Sequence, residues 1–153
     1  MRNRLMILAL ALCASAACSG PAWCQTSSVW DGVYSDAQAA RGSAKYEQMC
    51  VMCHGPVLEG NGEAPPLVGR FIPDWAGTNL AQLFEKIQTT MPLFAPATLS
   101  TGDTADILAF ILQSNNFPAG AQELQAGDSL KTISFDVTKP VPATKAKKSK
   151  VVK

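Results

Sequence analysis

The chain has a single histidine, His54, so it cannot supply a second imidazole to any centre that His54 serves. Of its five cysteines, Cys13, Cys18 and Cys24 fall in the first 24 residues, and only Cys50 and Cys53 remain beyond them. One close pair is too little for the disulfide framework of a small exported domain. After residue 24 no apolar run is long enough to span a bilayer, which excludes a membrane-crossing helix from the body of the chain. Strand signals are also scarce. Only "KTISFDV", residues 131–137, alternates in the β manner, and nothing else in the sequence offers it a partner. No internal repeat occurs. Acidic residues are missing from "KPVPATKAKKSKVVK", which holds six lysines and has neither apolar content nor periodicity. Residues 139–153 therefore read as a disordered lysine-rich tail.

Export is written into the opening residues. Arg2 and Arg4 precede the apolar run "LMILALALCASAA", and small residues follow it. That order describes a signal peptide over residues 1–24, removed ahead of Gln25, and it implies a periplasmic protein. Cys18 in "SAACSG" is the alternative, a lipid attachment point, but Ser15 stands where a lipoprotein signal usually carries leucine. Between residues 25 and 138 five basic residues face all twelve acidic ones. The body is acidic, which suits a basic partner surface. For an exported chain it makes nucleic acid an unsuitable partner.

Residues 25–35 form a short leader whose Trp30 and Tyr34 are candidates to pack on the domain. A helix then begins near Ser35 or Asp36, either of which can cap it. Ala39, Gly42, Tyr46, Met49, Cys50 and Cys53 share one helical face. Residues 55–79 are too rich in Gly and Pro for a long helix, and a loop of this length suggests a binding task. "LAQLFEKIQTT" puts Leu80, Leu83, Phe84 and Ile87 on one face, with Thr78 or Asn79 as cap, and Pro92 stops it. "DTADILAFILQS" is a third helix, capped by Ser100 or Thr101, with Ile107, Phe110 and Ile111 as its apolar face. The fold class is all-α, with about three main helices and long loops.

The chemistry is concentrated in "CVMCH", residues 50–54. A thioredoxin-like dithiol sits at the start of a helix after a buried strand, where the dipole favours a thiolate; this pair lies at the end of a helical pattern. Structural zinc needs four ligands, and adjacent Cys53 and His54 do not readily occupy two vertices of one tetrahedron. The third possibility fits the spacing. Two thiols separated by two residues reach the two vinyl groups on one haem edge, and a histidine directly after the second lies beneath the iron. The cofactor implied is one covalently bound haem c, attached through Cys50 and Cys53 with His54 as an axial ligand.

From this motif outward the sequence resembles the class I c-type cytochromes. Gly42 and Tyr46 stand eight and four residues before Cys50, where that family has a glycine and an aromatic on its first helix. "PPLVG" (65–69) is similar to its P-x-L-x-G loop, "MP" (91–92) to its distal methionine segment, and "DILAFI" (106–111) to its last helix. The resemblance covers residues 36–118 and implies a class I cytochrome c fold. It also implies that the Pro65 carbonyl accepts a hydrogen bond from His54. Glycine at 42 would let the last helix come close to the first, with Tyr46 and Phe110 or Ile107 around the crossing.

The sixth iron position has one candidate. Met49 and Met52 are too near His54 in sequence to reach the opposite ring face, which leaves Met91, and a thioether favours ferrous iron. Arg70 and Trp75 are either propionate donors or, respectively, a surface charge and a core aromatic. Tyr34 has no assignable role. The function expected is transfer of single electrons rather than catalysis. Residues 119–138 form a C-terminal extension, and "NNFPAGAQELQAGDSLKTISF", residues 115–135, resembles the segment seen in cytochrome subunits of periplasmic dehydrogenases. That implies such a dehydrogenase as donor and a cytochrome or oxidase of the respiratory chain as acceptor. The alternative is a haem-based ligand sensor with a labile sixth ligand.

Overall fold

The computed structural model describes residues 27–139. The expected signal segment with Cys13, Cys18 and Cys24, and the lysine-rich residues past Lys139, lie outside the described residues. Five helices follow in order: α1 (Asp36–Met49), α2 (Val51–His54), α3 (Phe71–Asp74), α4 (Leu80–Thr90) and α5 (Thr101–Ser114). The three long ones start where short polar side chains can satisfy free amides. Ser35 accepts from the Gln38 amide, Asn79 from Gln82 and Ser100 from Asp103. Between α2 and α4 the Gly- and Pro-rich stretch carries only the single turn of α3.

The dominant packing is α1 against α5. Gly42 is buried at their crossing, where a β-carbon would overlap the carbonyl of Asp106 and come within 2.9 Å of the Phe110 β-carbon. Tyr46 and Phe110 flank the crossing with ring centroids 5.3 Å apart. Glycine inside a helix forgoes about 1 kcal/mol relative to alanine, yet here the gain from alanine is outweighed by collision with a backbone that cannot rotate away. Gly42→Ala is therefore expected to destabilise the protein by about 2–3 kcal/mol, read as a lowered midpoint in urea unfolding of the haem-loaded chain.

α5 departs from the expected one-sided face. Leu108 and Leu112 are fully buried together with Ile107 and Ile111, and α4 packs on α5 in addition to α1. The alternating segment 131–137 also gains a partner that its sequence did not announce. A short β2 (Ile133–Ser134) pairs in parallel with β1 (Ser27–Ser28) from the leader, in register Ser27 with Ile133 and Ser28 with Ser134. Ser134 also bridges to Asn79, and Phe135 bonds through its amide and carbonyl to Thr78 and Gly77. The correction has a physical cause. A two-residue strand is too short to show periodicity, and it exists only because the leader and the extension are laid side by side.

Polar side chains complete the clasp. The Gln38 amide group donates to the Leu124 carbonyl at 2.9 Å and accepts from the Leu124 amide at 2.7 Å, as a neighbouring strand would. Trp30 donates to the Asp136 carbonyl and sets its ring edge-on to Phe117. Tyr34 has a role after all: its hydroxyl donates to the Phe117 carbonyl at 2.6 Å. Burial first, then the charge of Asp36, pushes the phenol up to about 12, so it stays a donor throughout the neutral range.

Candidate functional site

α1 ends at Met49, and Cys50 breaks the helix with φ −123° before α2 turns through Cys53 and His54. Cys50 is half-buried and Cys53 exposed, and the two are not joined in a disulfide. Burial, and secondarily the charge of Cys53, pushes the Cys50 thiol up to about 11. A redox dithiol needs the opposite, a thiol lowered toward neutrality. Among the described residues no group of three or more His, Cys, Asp or Glu side chains is placed to hold a metal ion, so the zinc reading has no ligand set.

His54 is only 8% exposed, and its Nδ1 lies 2.9 Å from the Pro65 carbonyl oxygen. A carbonyl can only accept, so Nδ1 carries a proton, and in the neutral ring Nε2 is the nitrogen with the lone pair. The turn that presents this ring is held by Tyr46, whose hydroxyl donates to the Gly55 carbonyl at 2.6 Å. Burial holds that phenol protonated, well above the ordinary tyrosine range, with the charges of Cys50 and Glu59 adding to the effect. The segment carrying Pro65 is folded back by an amide bond from Gly60 to the His54 carbonyl and another from Leu67 to the Leu58 carbonyl, each 2.8 Å. Gly60, at φ +72°, makes the fold-back possible. A β-carbon there would strike the Ala64 carbonyl and sit 2.9 Å from the Pro65 carbonyl carbon.

Cys50, Cys53, His54, Pro65, Trp75 and Met91 line one cavity of about 340 Å3, walled by apolar side chains of α1, α4 and α5. Its size suits a cofactor, within the usual range of about 300–1,000 Å3. Met91 is the C-cap of α4. Its amide bonds to the Ile87 carbonyl at 3.0 Å, so the helix fixes where its thioether starts. Arg70 is exposed and outside the cavity lining, whereas Trp75 is part of it. A second cavity of about 360 Å3 lies between Gln38, Arg41 and Glu123. The guanidinium of Arg41 is already taken by Asp106 and Glu123 there, and none of the motif residues reaches it.

The donor set suits a c-type haem: two thiols, an imidazole with one nitrogen tied and one open, a thioether, and apolar walls. A family model described as "Cytochrome C oxidase, cbb3-type, subunit III" matches residues 37–111, the stretch from the first turn of α1 into α5. The chain is a class I c-type cytochrome. Membership brings haem c and an electron-transfer role with it. The cytochrome is also similar to a solved structure, the sulfane dehydrogenase SoxCD from Paracoccus pantotrophus. Identity is 26% and the TM-score 0.44, over 57% of this chain and 53% of that one. The cytochrome thus spans about half the length of that chain. No curated protein matches the cytochrome. Among the described residues, none of its helices is long and apolar enough to cross a membrane.

Two features of the site were missed in the sequence. Phe71, the first residue of α3, lines the cavity and meets Trp75 at a tilt and Phe135 edge-on, at centroid distances of 6.2 and 5.9 Å. Asn115, just beyond α5, donates to the Leu67 carbonyl in the loop that holds His54.

Proposed function

We propose that this cytochrome is an exported single-haem protein that carries one electron at a time from a periplasmic dehydrogenase to the respiratory chain. The observation that carries the reading is the convergence of Cys50, Cys53, His54 and Met91 on one apolar cavity, with the His54 ring already oriented by Pro65. The haem, when bound, supplies an iron that changes valence without any bond being made or broken. The chain's own residues do the rest. Cys50 and Cys53 attach it at the end of α1. His54 and Met91 are held by separate backbone bonds, so neither has to move between oxidation states, which keeps reorganisation small.

Electrons need a place to enter. Leu93 and Phe94, both at the cavity, are 77% and 66% exposed, and Met52, beside Cys53, is 84% exposed. Isolated exposed apolar side chains are ordinary, but three near one cofactor opening suit transient contact with a redox partner. The resemblance of residues 115–135 to dehydrogenase-linked cytochromes supports the donor class. Export rests on the basic and apolar opening of the sequence.

Optical spectroscopy of the periplasmic fraction tests the proposal. The expected result is a red protein whose reduced form shows sharp low-spin bands, with a weak long-wavelength sulfur-to-iron band when oxidised. Its pigment should stay with the chain in acidified acetone. Colourless protein, or pigment that the acetone extracts, would refute covalent attachment at Cys50 and Cys53.

A further inference from the structure

We infer that Asn115 is a positioning residue for His54, acting through the Leu67 carbonyl to set how strongly the Pro65 carbonyl holds the imidazole. The inference rests on the proposal that His54 binds iron, and it goes one step further out along the chain of contacts.

Asn115 is 5% exposed, and its amide nitrogen donates twice, to Leu67 O at 2.8 Å and to Ile111 O at 2.9 Å. Two carbonyls on one side fix the amide orientation, since turning it over would set oxygen against oxygen. The price is paid at the other end, where the buried Asn115 Oδ1 has no hydrogen-bond partner among the described residues. A buried acceptor left unsatisfied calls for a compensating role, and ending α5 does not require one. The backbone amide of Asn115 already bonds to Ile111 and Leu112, so the helix closes without the side chain.

What the side chain adds is the tie to Leu67. Pro65 and Pro66 have no amide hydrogen, so neither can anchor the loop by donating. Leu67 is the next residue along with both backbone groups engaged, its amide with Leu58 and its carbonyl with Asn115. Asn115 therefore connects the strip bearing the Pro65 carbonyl to α5, the helix that packs on α1, at whose end Cys50 stands. The thiols and the acceptor of the histidine proton are referred to the same helix pair.

The sign of the effect follows from the hydrogen bond. Nδ1–H donating to a carbonyl raises the basicity of Nε2, and a more basic imidazole favours ferric iron. Releasing Leu67 loosens Pro65, weakens that bond, and tilts the balance toward ferrous iron.

The test uses the haem-loaded protein. Asn115→Leu and Asn115→Ser are compared with wild type and with Leu108→Ala, a core truncation on the same helix outside the cavity. Serine still bonds back to the Ile111 carbonyl but is too short to reach Leu67 as well, so it decides the matter if the leucine variant fails to accumulate. Both Asn115 variants should favour the reduced state by about three- to tenfold, the upper figure being about 59 mV for one electron. Exchange of the His54 Nδ1 proton, followed by NMR, should quicken as well. Leu108→Ala should lose stability with its potential unchanged. Asn115 variants that are destabilised but keep the wild-type potential and exchange rate would overturn the inference and leave the function intact. A wild-type protein without low-spin haem would overturn both.

Discussion

Replacing Cys50 and Cys53 together by alanine should leave the chain without covalently bound pigment and should cost it the packing of α1, α4 and α5. The attachment effect is read directly, by haem staining after denaturing electrophoresis. Wild type should stain, the double variant should not, and each single variant should stain weakly. The structural effect follows from magnitudes. The cavity measures about 340 Å3, and an apolar cavity costs about 24 cal/mol per Å3, which gives up to roughly 8 kcal/mol. A domain of this size is stable by about 5–15 kcal/mol in all. The cofactor thus serves as a large part of the core, and water entering through the opening relieves only part of the deficit. The double variant should show no cooperative thermal transition and should be digested by protease under conditions that leave wild type whole. A colourless variant melting as sharply as wild type would show that the helices hold one another without the haem.

Much of this arrangement could be read from the sequence, because its signals are local. Ser35, Asn79 and Ser100 announce the three long helices through a cap interaction that spans three residues. Gly42 announces a close crossing because a glycine inside a helical pattern needs a reason, and the Asp106 carbonyl supplies it. The bond from His54 to Pro65 came from family resemblance rather than from the residues alone, since nothing in the composition of a proline loop says where its carbonyl points. The features that escaped depend on distant pairs. Gln38 is a polar residue in the first turn of α1 and Asn115 the polar cap that follows α5, and neither carries a local signal of burial. Each is buried because a backbone strip 86 or 48 residues away needs its hydrogen bonds. Tyr34 and the pairing of β1 with β2 belong to the same class. They exist only once the leader and the extension have wrapped the helical core, and no periodicity within either segment encodes the other.

Substituting Met91 by alanine should change the iron site more sharply than any change outside the "CVMCH" motif, because among the described residues no other thioether or imidazole lines the cavity on its side. His54 is the chain's only histidine, and Met49 and Met52 stand on the turns that deliver the proximal side. Alanine keeps the backbone bond from residue 91 to the Ile87 carbonyl, so α4 should end where it does now and the loss should be confined to the thioether. Three results are expected together. The long-wavelength sulfur-to-iron band disappears, the reduced protein binds carbon monoxide rapidly, and the midpoint potential falls because a soft donor favouring ferrous iron has gone. Met91→His separates the vacancy from the donor type: it should restore resistance to carbon monoxide while keeping the potential below that of wild type, since imidazole is the harder ligand. Wild-type protein that already binds carbon monoxide as fast as Met91→Ala would mean that the thioether does not hold the iron. The same cavity would then serve a ligand-binding haem in place of an electron carrier.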